Sequence, residues 1–109
     1  MAASDLKFFP ETLRSIDSAT FTGSYQACGV VTSHQVRLTR FLNASNVTVT
    51  ISWDGTNDHE VLPAGTFLLL DLSTNSGTAK PAIIASNTQF SVKGSAGTGN
   101  FYISTYYTR

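Results

Sequence analysis

One segment constrains the fold more than any other. Val47, Thr48, Val49, Thr50, Ile51, Ser52 and Trp53 alternate without interruption. Val47, Val49, Ile51 and Trp53 take one side, and Thr48, Thr50 and Ser52 take the other. Successive side chains of an extended strand point to opposite faces, so this order builds one apolar and one polar face. A helix would scatter the same apolar residues around its circumference. The segment predicts a strand of a sheet with one buried face, and that face requires a second layer to cover it.

The rest of the chain repeats this style. Asp54-Gly55 follows at once and is a strong turn signal, since both residues tolerate positive φ. Glu60-Val61-Leu62 resumes, Pro63-Ala64-Gly65 turns again, and residues 66–72 are nearly continuously apolar. Their length predicts a strand buried on both faces, although a buried helix turn would show the same pattern. Val36 to Leu42 reads as a strand with Val36, Leu38 and Leu42 facing one way. Residues 21–27 and 89–93 alternate, and Asn100 to Tyr107 reads as a closing strand with aromatic residues on both faces. Residues 11–16 fit a helical turn and a short strand equally well. No segment sustains a helical period. Seven or eight short strands, with turns every eight to twelve residues, predict an all-β, single-domain antiparallel β-sandwich of jelly-roll type. The 109 residues suit one domain, over residues 11–109, preceded by an N-terminal arm over residues 1–10 that carries Phe8 and Phe9.

Charge removes whole classes of function. Seven basic and seven acidic residues leave no net charge. Arg37 and Arg40 are the closest basic pair, which is no electrostatic footprint for nucleic acid. The longest apolar run, Phe67 to Leu70, is too short to span a bilayer. The expectation is no nucleic acid and no membrane. Cys28 is the single cysteine, so no intrachain disulfide can form. Met1 to Lys7 lacks the apolar core of a secretory signal, which predicts synthesis in a cytoplasm.

Candidate chemistry is sparse. Asp54, Asn57, Asp58, His59 and Glu60 put oxygen ligands on one tight loop, as Ca²⁺ requires. Their spacing departs from the EF-hand pattern, and Asp and Asn stabilise turns by bonding their own backbone. No metal site and no cofactor is assigned. His34 and His59 lack the setting of a nucleophile, base and orienter, so no catalytic residue is assigned and no enzyme is expected. Cys28 lacks a partnered motif and reads as a small buried residue. Gly94 to Gly99 is glycine-rich but opens no helix, so it reads as a hairpin tip. Trp53 shares a face with Val49 and Ile51 and reads as core. Tyr25, Tyr102, Tyr106 and Tyr107 suit a sugar-stacking platform or a protein interface.

The stretch from Val49 to Gly65 resembles a group of small virion-associated proteins of tailed bacteriophages. It combines a strand, an aromatic residue with Asp-Gly (Trp53, Asp54, Gly55), an Asp-His (Asp58, His59) and a Pro-Ala-Gly turn (Pro63 to Gly65). The likeness continues through Asp71 to Asn75, through Arg40 to Asn43 upstream, and through the closing aromatic strand. It spans roughly residues 11 to 109. The resemblance implies a structural role in a virion, built in a host cytoplasm, and transfers no catalytic residue. Asp54, Gly55, Asp58, His59, Pro63 and Asn75 are expected to shape turns. Phe8, Phe9, Tyr102 and Tyr106 are the expected interface. The leading expectation is a capsid decoration or cement protein bound to the major capsid protein or other virion proteins, as a homo-oligomer with a trimer favoured. A tail, neck or baseplate component is the alternative, and a carbohydrate-binding module for host attachment is the second.

Overall fold

The computed structural model describes residues 7–72 and 83–108. Its strands are β1 (Phe8–Pro10), β2 (Arg14–Asp17), β3 (Gln26–Ala27), β4 (Val36–Asn43), β5 (Val49–Ser52), β6 (Glu60–Leu62), β7 (Phe67–Asp71), β8 (Ser91–Lys93) and β9 (Asn100–Thr108). A 3₁₀ turn spans Ser18–Thr20, started by Asp17, whose side chain accepts from the Ala19 N–H. Phe8 to Pro10, in the segment read as an arm, pair with β9 and belong to the sheet.

The chain is an antiparallel β-sandwich. One sheet runs β1–β9–β4–β7, with β2 also on β9, and the other runs β3–β8–β5–β6. β1 pairs with Tyr106 to Thr108, and β2 with Asn100 to Ile103. They lie end to end along one edge of β9 and act as one interrupted strand. Counted that way, eight strand positions are ordered 1-8-3-6 in one sheet and 2-7-4-5 in the other. That order is the double Greek key of a jelly roll.

The core lies between the sheets. Phe41, Val49, Ile51, Phe90, Val92, Phe101 and Ile103 are fully buried there. Phe41, Trp53 and Phe90 meet edge to face, with ring centroids 5.3–6.3 Å apart. Such geometry sets the positive edge of one ring against the negative face of the next. Trp53 is half-buried against this cluster, as its place in the alternation predicts.

Two expectations fail here. Val36 and Leu38 do not share a face, because the β4–β9 register shifts between them. That bulge turns Val36 inward while Leu38, Arg40 and Leu42 face outward; Thr39, Phe41 and Asn43 fill the interior. One extra residue inverts the parity of everything beyond it. The second concerns β7, read as buried on both faces. Among the described residues it is an edge strand, and its Phe67 and Leu69 are 65% and 50% exposed.

The loops at one end leave little room. Gly99 has φ +91°, and a Cβ there would come within 2.4 Å of the Ala44 carbonyl oxygen. Gly65 has φ +74° but nothing within 4 Å. Gly65→Ala should therefore cost only left-handed backbone strain, about 1–2 kcal/mol. Gly99→Ala adds a backbone clash and should cost clearly more by urea unfolding. Equal losses at the two positions would refute the steric reading.

Candidate functional site

The outer face of the β1–β9–β4–β7 sheet is the most unusual surface of the molecule. Cross-strand register arranges it in rows. Tyr102, Leu42 and Phe67 form one row across β9, β4 and β7; Ser104, Arg40 and Leu69 form the next. Pro10, Tyr106, Leu38 and Asp71 form a third, reaching onto β1. Phe8 joins the same face at 48% exposure. Antiparallel sheets usually show water a polar face, and this one shows mostly leucine, phenylalanine and tyrosine, with Arg40, Ser104 and Asp71 among them. Of the expected interface residues, Phe8, Tyr102 and Tyr106 lie here. Phe9 points the other way and stacks on Tyr107 at 5.7 Å. Leu38, Leu42, Phe67 and Leu69 join the face without a sequence signal for exposure: Phe67 and Leu69 belong to a run apolar enough to predict burial, and Leu38 and Leu42 face outward because of the β4 bulge.

The acidic loop is built as a turn. The Asp54 carboxylate accepts from the backbone N–H groups of Thr56 and Asn57 (2.8 and 2.9 Å), from Asn57 Nδ2 and from Ser52 Oγ. These bonds hold its pKa far below the usual carboxylate range. Gly55 supplies φ +76°. Asp58 accepts from the Tyr25 hydroxyl and lies 3.0 Å from Lys93 Nζ, which sits over the Tyr25 ring. Desolvation and the Asp58 carboxylate push the Tyr25 phenol up to about 12. His59 Nδ1 accepts from the Trp53 N–H at 3.0 Å. The Pro63 carbonyl accepts from Thr66 Oγ1 at 2.7 Å. Asn75 lies outside the described residues. Asp54 and Gly55 thus shape the loop after β5, His59 and Pro63 bond within their own loops, and Asp58 instead ties the loop to Tyr25 and Lys93; each oxygen of Asp54 is already engaged. Among the described residues no group of three His, Cys, Asp or Glu side chains is placed to hold a metal ion.

A second polar cluster had no sequence signal. Arg14, on β2, is only 3% exposed. Its guanidinium donates to Val30 O (2.8 Å), Thr105 Oγ1 (2.7 Å), Glu11 Oε1 (3.0 Å) and Val31 O (3.3 Å). Glu11 Oε2 accepts from the Ser33 N–H and hydroxyl and meets His34 Nδ1 at 2.8 Å. His34 stacks on Tyr107 with centroids 3.6 Å apart. Ser33, His34 and Glu11 have the residue types of a hydrolytic relay. However, Ser33 Oγ and Glu11 both meet the same ring nitrogen, Nδ1. A relay needs the acid on one nitrogen and the nucleophile on the other. A shallow cavity lined by Pro10, Leu13 and Tyr106 reaches Glu11 and Thr105, whose polar atoms are already engaged. The cluster ties β2, the 30–34 loop and β9 together.

Its carboxylate makes the fold acid-sensitive. Burial alone would raise the Glu11 pKa, but hydrogen bonds from His34, Arg14, Ser33 and Thr105 outweigh it and hold it at about 2, against an ordinary 4.5. A pKa depressed by folding adds stability in full above the unfolded value and loses it as pH falls through the folded one. The stability gap between the wild type and Glu11→Gln should be constant from pH 7 to about 5 and shrink between about 4.5 and 2. A gap independent of pH in urea titrations would show that the carboxylate charge contributes nothing.

Cys28 is fully buried, and burial pushes its thiol up to about 12, so it is inert near neutrality. Among the described residues no helix is long and apolar enough to cross a membrane. Comparison with protein-family models, with curated proteins and with solved structures finds no match to this chain.

Proposed function

We propose that this chain is a structural subunit of a tailed-bacteriophage virion, a decoration or cement protein that docks on the head shell through the outer face of its β1–β9–β4–β7 sheet. The observation that carries this reading is the exposed apolar sheet face, with Phe67 65% and Leu69 50% exposed at its edge. Burying such surface releases about 25 cal/mol per Å² of apolar area, so a partner is the natural use of it. Arg40, central in that face, suits a carboxylate on the partner. The polar clusters point the same way, because their atoms are consumed in holding loops. The jelly roll is a fold that capsid domains use, which supports the reading by analogy of fold alone. The partners are the major capsid protein or another virion protein, and further copies of this chain.

The test is fractionation of purified particles into heads and tails, followed by quantitative mass spectrometry and cryo-microscopy. A head protein should be found in hundreds of copies, following shell symmetry. About 3 to 12 copies confined to tails would replace the head assignment by a tail or neck role. Absence from particles would end the virion reading.

A further inference from the structure

The edge of β7 at Phe67 and Leu69, away from β4, has a definite chemistry. In its ladder with β4, the Asn43 N–H donates to Thr66 O at 2.9 Å and the Leu72 N–H to Arg37 O at 2.7 Å. Between these bonded pairs the register sets Phe41 against Leu68 and Thr39 against Leu70. Bonded and non-bonded pairs alternate along an antiparallel ladder, so Leu68 and Leu70 turn their N–H and C=O groups toward β4. Phe67 and Leu69 turn theirs to the open side. No strand pairs with that side among the described residues. Exposed edges are normally blunted by charge, proline or a bulge; Phe67 to Leu70 have none of these, and the one charge on the strand is Asp71 at its end.

We propose that β7 pairs antiparallel with β7 of a second copy of this chain, about a two-fold axis at Leu68. Phe67 of each copy then faces Leu69 of the other, and each such pair exchanges both backbone hydrogen bonds. The register follows from parity. A two-fold axis on a residue pairs outward-bonding positions with outward-bonding positions, whereas an axis between residues would pair them with groups already spent on β4. Moving the axis to Leu69 would set Phe67 against Asp71. At Leu68 the facing side chains are phenylalanine and leucine on the outer face and two leucines beneath.

Charge favours a second copy as the occupant. Arg40 neighbours Leu69, so the joined sheet continues its row through Phe67 and Leu42 of the second copy. The two Arg40 side chains fall in different rows and do not oppose each other. The chain has no net charge to repel a copy of itself. A two-fold joint of this kind is closed and isologous, giving a dimer in place of the expected trimer. It concerns the free chain and stands apart from the virion reading.

Sedimentation velocity on the full chain tests it. The wild type should become dimeric between about 1 and 100 μM, the range in which a modest strand-edge interface acts. Phe67→Lys and Leu69→Lys alter exposed side chains, so the monomer should keep its circular dichroism and melting temperature. Each should weaken dimerisation at least about 100-fold, as charge on an edge does. The register is tested by mixing Phe67→Cys and Leu69→Cys proteins under mild oxidation. Cross-linked heterodimer should form in preference to either homodimer, because bonded pairs bring Cα atoms to about 5.5 Å. Cys28 is buried and does not compete. A wild type that stays monomeric throughout, lysine variants that dimerise normally, or dominant homodimer cross-links would each overturn the proposal. None of these outcomes bears on where the protein sits in a particle, which fractionation decides.

Discussion

Arg14→Leu should lower the stability of the free chain by about 3–5 kcal/mol, the loss typical when one partner of a buried ion pair is removed. The guanidinium is almost completely enclosed and makes four hydrogen bonds, to Glu11, Thr105 and the carbonyls of Val30 and Val31. Removing it leaves two carbonyls short of a donor and a buried carboxylate short of its cation. The leucine fills part of the space, so packing loss is not the main cost. Gly29 keeps this site close-fitting, since a Cβ there would lie 2.5 Å from Arg14 Cγ. Combining Arg14→Leu with Glu11→Gln removes the uncompensated charge. The double variant should therefore be more stable than the sum of the two single losses implies, by about 1–3 kcal/mol of coupling. Urea unfolding of the four proteins at pH 7 measures the cycle. Additive losses would mean that Arg14 acts through its aliphatic stem alone.

The two polar clusters show which parts of this protein a sequence can disclose. The Asp54 turn was legible because its partners lie two or three residues away and Asp-Gly is a local signal. Arg14 was not, because Thr105 is 91 residues distant and only the pairing of β2 with β9 brings them together. The alternation from Val47 to Trp53 placed Val49, Ile51 and Trp53 correctly. It also implied a solvated Ser52, which is fully buried because its hydroxyl bonds into the Asp54 turn lying over it. The bulge at the start of β4 had no signature of its own and inverted the expected face. For β7, periodicity reported the apolar character correctly and the burial incorrectly. Four consecutive apolar residues say that a strand must be covered, and the single chain leaves Phe67 and Leu69 open. That mismatch is what the proposed docking surface rests on.

Asn43 controls that surface from its end, and Asn43→Ala should cost about 3 kcal/mol or more, since each buried group left unsatisfied costs about 1–3 kcal/mol. The side chain is fully buried at the end of β4. Its Nδ2 donates to Val47 O (2.8 Å), Leu62 O (2.9 Å) and Pro63 O (3.2 Å), and its Oδ1 accepts from the Ser45 N–H and hydroxyl. Three carbonyls on one side and two donors on the other fix the amide in one orientation. The residue therefore bridges the sheets, from β4 to the loops that enter β5 and leave β6. Its backbone also bonds Gly65 and Thr66, where the chain turns into β7. Asn43→Asp separates shape from hydrogen bonding, because it keeps the outline and turns the donor into an acceptor. At pH 7 it should be at least as damaging as Asn43→Ala, with a carboxylate set against three carbonyls. Burial and those carbonyls raise its folded pKa above the unfolded value, so its deficit relative to Asn43→Ala should shrink as pH falls through the raised pKa. If Asn43→Asp matches the wild type at pH 7, the three-carbonyl bridge does not hold the start of β7.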